Sequence, residues 1–178
     1  MCTIEKLALQ GNVDLDYSAM MFQNHLVHIR NQHIREIVSD CIRVSGRMEY
    51  VATVCGIDFI NDTKAHTLNA AWYSLESMTK PVIWIVNNME VGEEFGKIVP
   101  LLKKKVKSVI VLGGGNGALS LFSDYVERVY TANHIEDAVE LAYTIGKQGD
   151  TVLFSLAGGY DEEHKQKGKL FTETVKKL

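Results

Sequence analysis

Gly56-Ile57-Asp58-Phe59-Ile60-Asn61-Asp62-Thr63-Lys64-Ala65-His66 reads as a buried strand that ends abruptly in an acid, a hydroxyl and a lysine. Helix-forming residues from Leu68 to Met78 follow at once, so the strand runs straight into a helix. In open α/β sheets, polar groups at such a junction lie at the carboxyl end of a strand, where ligands bind. Asp62 and Lys64 at that place can hold a ribose hydroxyl and an anionic oxygen together. The same local pattern fits a plainer role, in which Asp62 or Thr63 caps the helix and Lys64 is solvated.

The segments on either side extend the pattern. Tyr50 to Val54 and Ile57 to Ile60 are short β-rich runs separated by Cys55-Gly56, which predicts a hairpin. Pro81 introduces the apolar strand Val82 to Val86, helix Phe95 to Lys104 leads to strand Ser108 to Leu112, and a glycine triplet opens onto a helical run around Ala118 to Phe122. Val129 to Thr131 is a short strand. Ile135 to Gly146 is a helix, with apolar residues at 135, 138, 139, 141, 142 and 145. Gly149-Asp150 turns into strand Thr151 to Phe154, and a helix from about Glu162 to Lys177 ends the chain. Apolar strands alternating with amphipathic helices need crossover connections and hence a mostly parallel sheet. Strands 82–86 and 108–112 are apolar on both faces, as strands covered by helices on both sides should be. The expectation is an α/β fold of Rossmann-like, three-layer α/β/α type with an antiparallel edge hairpin. Residues 1–45 differ in texture and predict a helical appendage of two helices broken near Arg30-Asn31, so 1–45 and 46–178 are read as separate domains.

The chain has 178 residues, 46% hydrophobic and 23% charged, which suits one globular domain with an appendage. A net charge of −3 gives no global field to recruit nucleic acid or a membrane surface. The basic runs Lys103-Lys104-Lys105 and Lys165 to Lys169 lie in amphipathic surroundings and read as solvated faces. The three cysteines, Cys2, Cys41 and Cys55, are far apart, with no metal-ligand spacing and no disulfide framework. Together with the lack of a signal sequence or a long apolar run, they point to a cytoplasmic location.

Each strand end is then a candidate site. Asn61, Asp62, Thr63, Lys64, His66 and Thr67 follow the first; Asn87, Asn88 and Glu90 the second; Gly113-Gly114-Gly115 and Asn116 the third; Ser155, Gly158, Gly159, Tyr160 and Asp161 the last. The glycine triplet could cradle a phosphate on backbone N–H groups, or simply make a tight strand-to-helix turn. It is neither a G-x-G-x-x-G nor a Walker A loop, since G-K-[ST] occurs nowhere in the chain. His66 could serve as an acid or base near neutral pH or be a surface residue. His164, in a charged helix, reads as solvated. No nucleophile elbow or paired metal-ligand motif is present, so no metal site is expected.

Taken in order, these residues resemble a known family. Gly46-Arg47-Met48-Glu49-Tyr50 followed by Phe59-Ile60-Asn61-Asp62-Thr63-Lys64-Ala65 is similar to the start of the C-terminal domain of Mur ligases, most of all their D-glutamate-adding branch, where the stretch reads H-R-M-E, then F-[IV]-[ND]-D-S-K-A-T-N. Gly149 to Ser155 resembles the family's G-D-x-V-L-L-S, and Lys167-Gly168-Lys169-Leu170-Phe171 its R-G-x-x-F. The resemblance implies a six-stranded Rossmann-like domain that works with a UDP-sugar-binding domain and an ATPase domain in peptidoglycan precursor synthesis. ATP, with Mg, phosphorylates a carboxylate, and an amino acid's amine attacks the acyl phosphate. By the same resemblance Arg47 faces ATP phosphates, Asp62 the ATP ribose, and Lys64 the reacting phosphate and carboxylate region; a cation there offsets developing negative charge. Thr67, Ser155 and Tyr160 would touch substrate.

The departures from the family pattern bear on function. Gly46 stands where the family has His, and His66-Thr67 replaces Thr-Asn. After the second strand, where the family carries G-G-x-x-K, Asn87-Asn88-Met89-Glu90-Val91 offers no lysine. The segment from Ser155 to Asp161 is shortened. D-Glutamate is therefore not expected to be a good ligand, because losing a charged partner in a substrate site costs several kcal/mol, of order 2–5. The expected function is a Mur ligase C-terminal-type domain, inactive alone and completed by the missing domains in trans. The alternative is a stand-alone, non-catalytic module that binds a nucleotide, an anion or a protein, with residues 1–45 as a possible homodimer contact.

Overall fold

The computed structural model describes residues 46–87, 95–113, 116–157 and 163–178. The expected helices of residues 1–45 lie outside the described residues, as do Asn88, Glu90, Gly114, Gly115, Gly158, Gly159, Tyr160 and Asp161.

From the N-terminal side, strands β1 (Glu49–Val54) and β2 (Ile57–Asn61) precede helix α1 (Leu68–Ser77). Strand β3 (Val82–Asn87), helix α2 (Phe95–Lys105), strand β4 (Val106–Leu112) and helix α3 (Asn116–Ser123) follow. Strand β5 (Arg128–Ala132), helix α4 (Ile135–Ile145), strand β6 (Thr151–Phe154) and helix α5 (His164–Val175) complete the order. The strands form one six-stranded sheet in the order β1-β2-β6-β3-β4-β5. The β1–β2 hairpin is antiparallel, with a bulge between Tyr50 and Ala52, and every other pairing is parallel. The hairpin turn needs left-handed backbone at both Cys55 (φ 49°) and Gly56 (φ 80°), which is why a short turn at Cys55-Gly56 was legible.

Strand β6 is the centre of the design by which the sheet closes. It pairs with β2 on one side and β3 on the other, Asp58 to Asn61 and Val82 to Ile85 each facing Thr151 to Phe154. The chain therefore runs outward from β2 through β3 and β4 to β5, then returns along α4 to fill the central gap. A right-handed crossover puts outward and returning helices on opposite faces, and the two halves of the core show it. On one face Trp84, Val86, Val109, Val111 and Leu153 pack with Leu75 of α1, Ile98 and Leu102 of α2 and Phe122 of α3. On the other, Phe59, Ile83, Ile85, Ile110, Val152 and Phe154 pack with Val139 and Ala142 of α4 and Phe171 of α5. Alternate residues of β3 and β4 thus serve opposite layers, which explains why both strands read as continuous apolar runs. Phe154 stacks on Phe171 at 4.8 Å, and Trp84 meets Phe122 edge-on at 5.9 Å. Burying each such ring contributes about 1.5–3 kcal/mol.

The expected element types all appear among the described residues, with boundaries that move by no more than two residues; Thr151–Phe154 is unchanged. The helix cap differs. Thr67, not Asp62 or Thr63, occupies the N-cap of α1: its backbone is extended (φ −112°, ψ 154°) and its hydroxyl accepts a hydrogen bond from the Ala70 N–H at 3.1 Å. Asp62 and Thr63 lie too far upstream to reach the free N–H groups of the first turn.

Candidate functional site

The loop between β2 and α1 is held from three sides. The Asp62 N–H donates to Phe154 O of β6 (2.8 Å), and the Ala65 carbonyl accepts from the Ala157 N–H (3.0 Å) and the Ser155 hydroxyl (3.4 Å). The Lys64 N–H donates to Gly46 O at 2.8 Å, which fastens the segment before β1 to the same loop. Ala157 (φ 47°), Met48 (φ 44°) and Gly46 (φ 77°) all adopt left-handed backbone to make these approaches. Such conformations in non-glycine residues are uncommon and require support from their surroundings.

Asp62 is wholly buried and supplies much of that support. One carboxylate oxygen accepts from the Met48 N–H at 3.0 Å and lies 4.0 Å from Arg47 Nη1; the other accepts from the Ser74 hydroxyl of α1. The Arg47 side chain is 16% exposed and lies against the buried Asp62 carboxylate. Lys64 is exposed on the loop surface, and His66 is half-buried. The His66 ring packs edge-on to His164 at 6.0 Å. His164, expected to be solvated, is instead 5% exposed: the first residue of α5 turns inward against the loop, while Lys165, Gln166 and Lys169 are exposed. Ser155 is fully buried beneath the loop, and Thr67 is exposed with its hydroxyl engaged in the cap.

The structure thus gathers Arg47, Asp62, Lys64, His66, Thr67 and Ser155 around the carboxyl ends of β2 and β6. It adds Ser74, which sequence reasoning did not single out, and gives bracing roles to Asn61 and Glu49, read in the sequence only as a strand-end candidate and as part of a motif. Asn61 is 2% exposed; its amide nitrogen donates to Gly168 O (3.2 Å), Thr172 Oγ1 (3.3 Å) and Glu49 Oε2 (3.3 Å), and its oxygen accepts from the Thr63 N–H and hydroxyl. Ser74 and Glu49 likewise brace the loop; their polar positions inside an apolar helix stripe and at a strand start were the available signals. An open cleft of about 310 Å³ lies further along the same rim, lined by Asn87, Leu112, Gly113, Asn133, Ile135 and Lys167. Gly113 (φ 64°) turns out of β4 there, its N–H bonded to Ala132 O, which fits the tight-turn reading of the start of the glycine run. Lys167 pairs with Glu163 at 3.5 Å. Among the described residues there is no group of three or more His, Cys, Asp or Glu side chains that could hold a metal ion.

The same fold occurs in solved ligase structures. The fold matches the UDP-N-acetylmuramate-alanine ligase MurC of Thermotoga maritima with a TM-score of 0.55 at 13% identity, over 86% of this chain and 35% of that one. It matches the MurF ligase of the same organism, solved in complex with ADP, with a TM-score of 0.52 at 19% identity, over 75% of this chain and 32% of that one. Residues 46–158 match the family model described as Mur ligase, glutamate ligase domain. The chain belongs to the Mur ligase family. Its sequence is 34% identical to the UDP-N-acetylmuramoylalanine–D-glutamate ligase of Christiangramia forsetii over 97% of this chain, and 37% identical to that of Bacteroides fragilis over 98%. It spans 40% of the length of each of those relatives.

Proposed function

We propose that this chain supplies the glutamate ligase domain of an ATP-dependent, D-glutamate-adding Mur ligase of peptidoglycan precursor synthesis, and that it is inactive alone. One observation carries the reading: the identity of 34–37% to ligases of that name runs along nearly the whole chain. The reaction is carboxylate phosphorylation by ATP with Mg, then attack of the amine on the acyl phosphate with release of phosphate. The described residues suit the phosphate side of that chemistry. Arg47, on the segment before β1, and Lys64, on the β2–α1 loop bonded to that segment, bring two cations to one strand end, where they can offset charge on transferring phosphate oxygens. Asp62 would serve the nucleotide by fixing Arg47; touching the ribose directly would require its carboxylate to leave Ser74 and Met48. His66 beside Lys64 and Thr67, Ser155 and Tyr160 remain the proposed substrate-side groups. The partners are the UDP-sugar-binding and ATPase domains that the family resemblance implies, supplied in trans, and the setting is the cytoplasm. Among the described residues no helix is long and apolar enough to cross a membrane.

The purified chain with Mg-ATP should release no ADP. Adding the UDP-sugar-binding and ATPase portions of the Bacteroides fragilis relative should restore amide formation, with D-glutamate a weak substrate that needs high concentration, and Lys64→Ala should lower that rate by about a hundredfold or more. ATP turnover by the chain alone, removed by Lys64→Ala, would overturn the inactivity; no amide with the added domains would overturn the ligase reading. Calorimetry of the chain alone should show weak D-glutamate binding at best. A second reading, a stand-alone nucleotide- or anion-binding or protein-interaction module, draws on the internal engagement of both Asp62 oxygens. Saturable ATP heat lost in Arg47→Ala, without restored ligation, would favour it. Self-association through residues 1–45 belongs to that second reading, and an unchanged sedimenting mass on their deletion would reject it.

A further inference from the structure

Helix α5 begins after the shortened segment that follows β6, yet its middle reaches back to the loop carrying Lys64. A Cβ built on Gly168 would stand 2.6 Å from Thr63 Oγ1, closer than packed atoms tolerate, and a tight 3.2 Å from Thr63 Cγ2. A Cβ on Gly46, across the loop, would stand 2.8 Å from the same Thr63 Oγ1. Thr63 is therefore wedged between two glycines more than a hundred residues apart in the chain. Its hydroxyl and N–H both donate to Asn61 Oδ1, and the amide of that same Asn61 donates to Gly168 O. Glu49 closes the ring by accepting from both Asn61 and the Gly46 N–H. The next residue along is Lys64, whose N–H is bonded to Gly46 O.

We infer that Gly168 is a positioning residue: by letting α5 touch Thr63, it sets where Lys64 and the Gly46–Arg47 segment stand. Glycine inside a helix is otherwise unfavourable compared with alanine, so its presence at 168 needs a reason, and close approach supplies one. Gly168 is an interior residue of α5, not a cap, and its φ lies outside the left-handed region, so backbone conformation does not demand it. The steric contact with Thr63 does. The importance for turnover rests on the ligase reading; the geometry does not.

The test is a cycle of Gly168→Ala, Thr63→Ala and the double variant in the intact chain, read by thermal unfolding and by amide hydrogen exchange. Gly168→Ala should lower the melting temperature although alanine favours helix, and in the Thr63→Ala background the same change should raise it. The Lys64 amide should exchange about tenfold faster in Gly168→Ala, relative to the Val109 and Val111 amides of β4, and recover in the double variant. If Gly168→Ala does not fold, a folded double variant with a protected Lys64 amide supports the inference, and a double variant that also fails to fold overturns it. A melting temperature raised by Gly168→Ala in the original background, or a Lys64 amide whose relative exchange is unmoved, would likewise overturn it. Neither readout needs ATP or a partner domain, so failure here is separable from failure of the ligase reading.

Discussion

At the scale of single residues, buried polar groups decide how the strand-end loop is held. Asp62→Ala would leave the Met48 N–H without its acceptor, the Ser74 hydroxyl with only the Ala70 carbonyl, and Arg47 without its nearby carboxylate. Removing one partner from a buried, charged network costs about 2–5 kcal/mol, and urea unfolding of the purified variant should show a loss in that range. The surface behaves differently. Asp58 accepts from Lys80 Nζ and from the Thr53 hydroxyl, and these two hydrogen bonds hold its carboxyl below the usual value of 3.8. A carboxyl lowered in the folded state contributes stability that is present above its unfolded pKa and lost as the pH falls through its folded one. Lys80→Ala should therefore cost up to about 1 kcal/mol at pH 7, and the gap to the original protein should close below about pH 3. Paired urea titrations across that range check the sign; a gap that widens in acid would contradict it. The role of Asp62 was not legible in the sequence, because an acid after a strand looks the same whether it faces solvent or folds inward. Only the arrival of Met48 and Ser74 decides that.

At the scale of elements, caps and close contacts set where helices begin. Thr67 caps α1 with its hydroxyl, so Thr67→Ala should destabilise the protein by about 1 kcal/mol and Thr67→Ser by much less. Thermal unfolding of both variants measures the difference, and equal melting temperatures would show that the cap contributes nothing. Element identities were largely legible. The 3, 4, 7 spacing of Ile135, Ala138, Val139 and Ala142 marks one helix face, and those four residues are the ones buried in α4. The continuous apolar run of β3 was equally readable, since each of its residues from Val82 to Val86 is covered on its own side of the sheet. His164 was misread because a helix rich in lysine looks solvated as a whole. Its buried face, His164, Gly168, Phe171 and Val175, is a stripe at helical spacing that the charges obscure.

At the scale of the molecule, β6 joins the two parts of the sheet and α5 packs on one of its faces. Without β6, strands β2 and β3 each lose a parallel neighbour, and the β1–β2 hairpin is cut from β3–β4–β5. Without α5, Phe59 and Phe154 lose the ring of Phe171. A chain truncated after Gly146 should therefore lack a cooperative unfolding transition, which calorimetry would detect as the absence of a heat-absorption peak. The same dependence explains the division between sequence and structure. The amino-acid sequence determined the element types, their alternation, the parallel character of the sheet and the family, because periodicity and ordered motifs are local and survive reading along the chain. Tertiary structure alone decided that β6 lies between β2 and β3, that Asp62 points inward, and that Gly168 touches Thr63. Each of those facts joins residues far apart in the chain, and such pairings are fixed by shape, burial and hydrogen-bond satisfaction across the whole core.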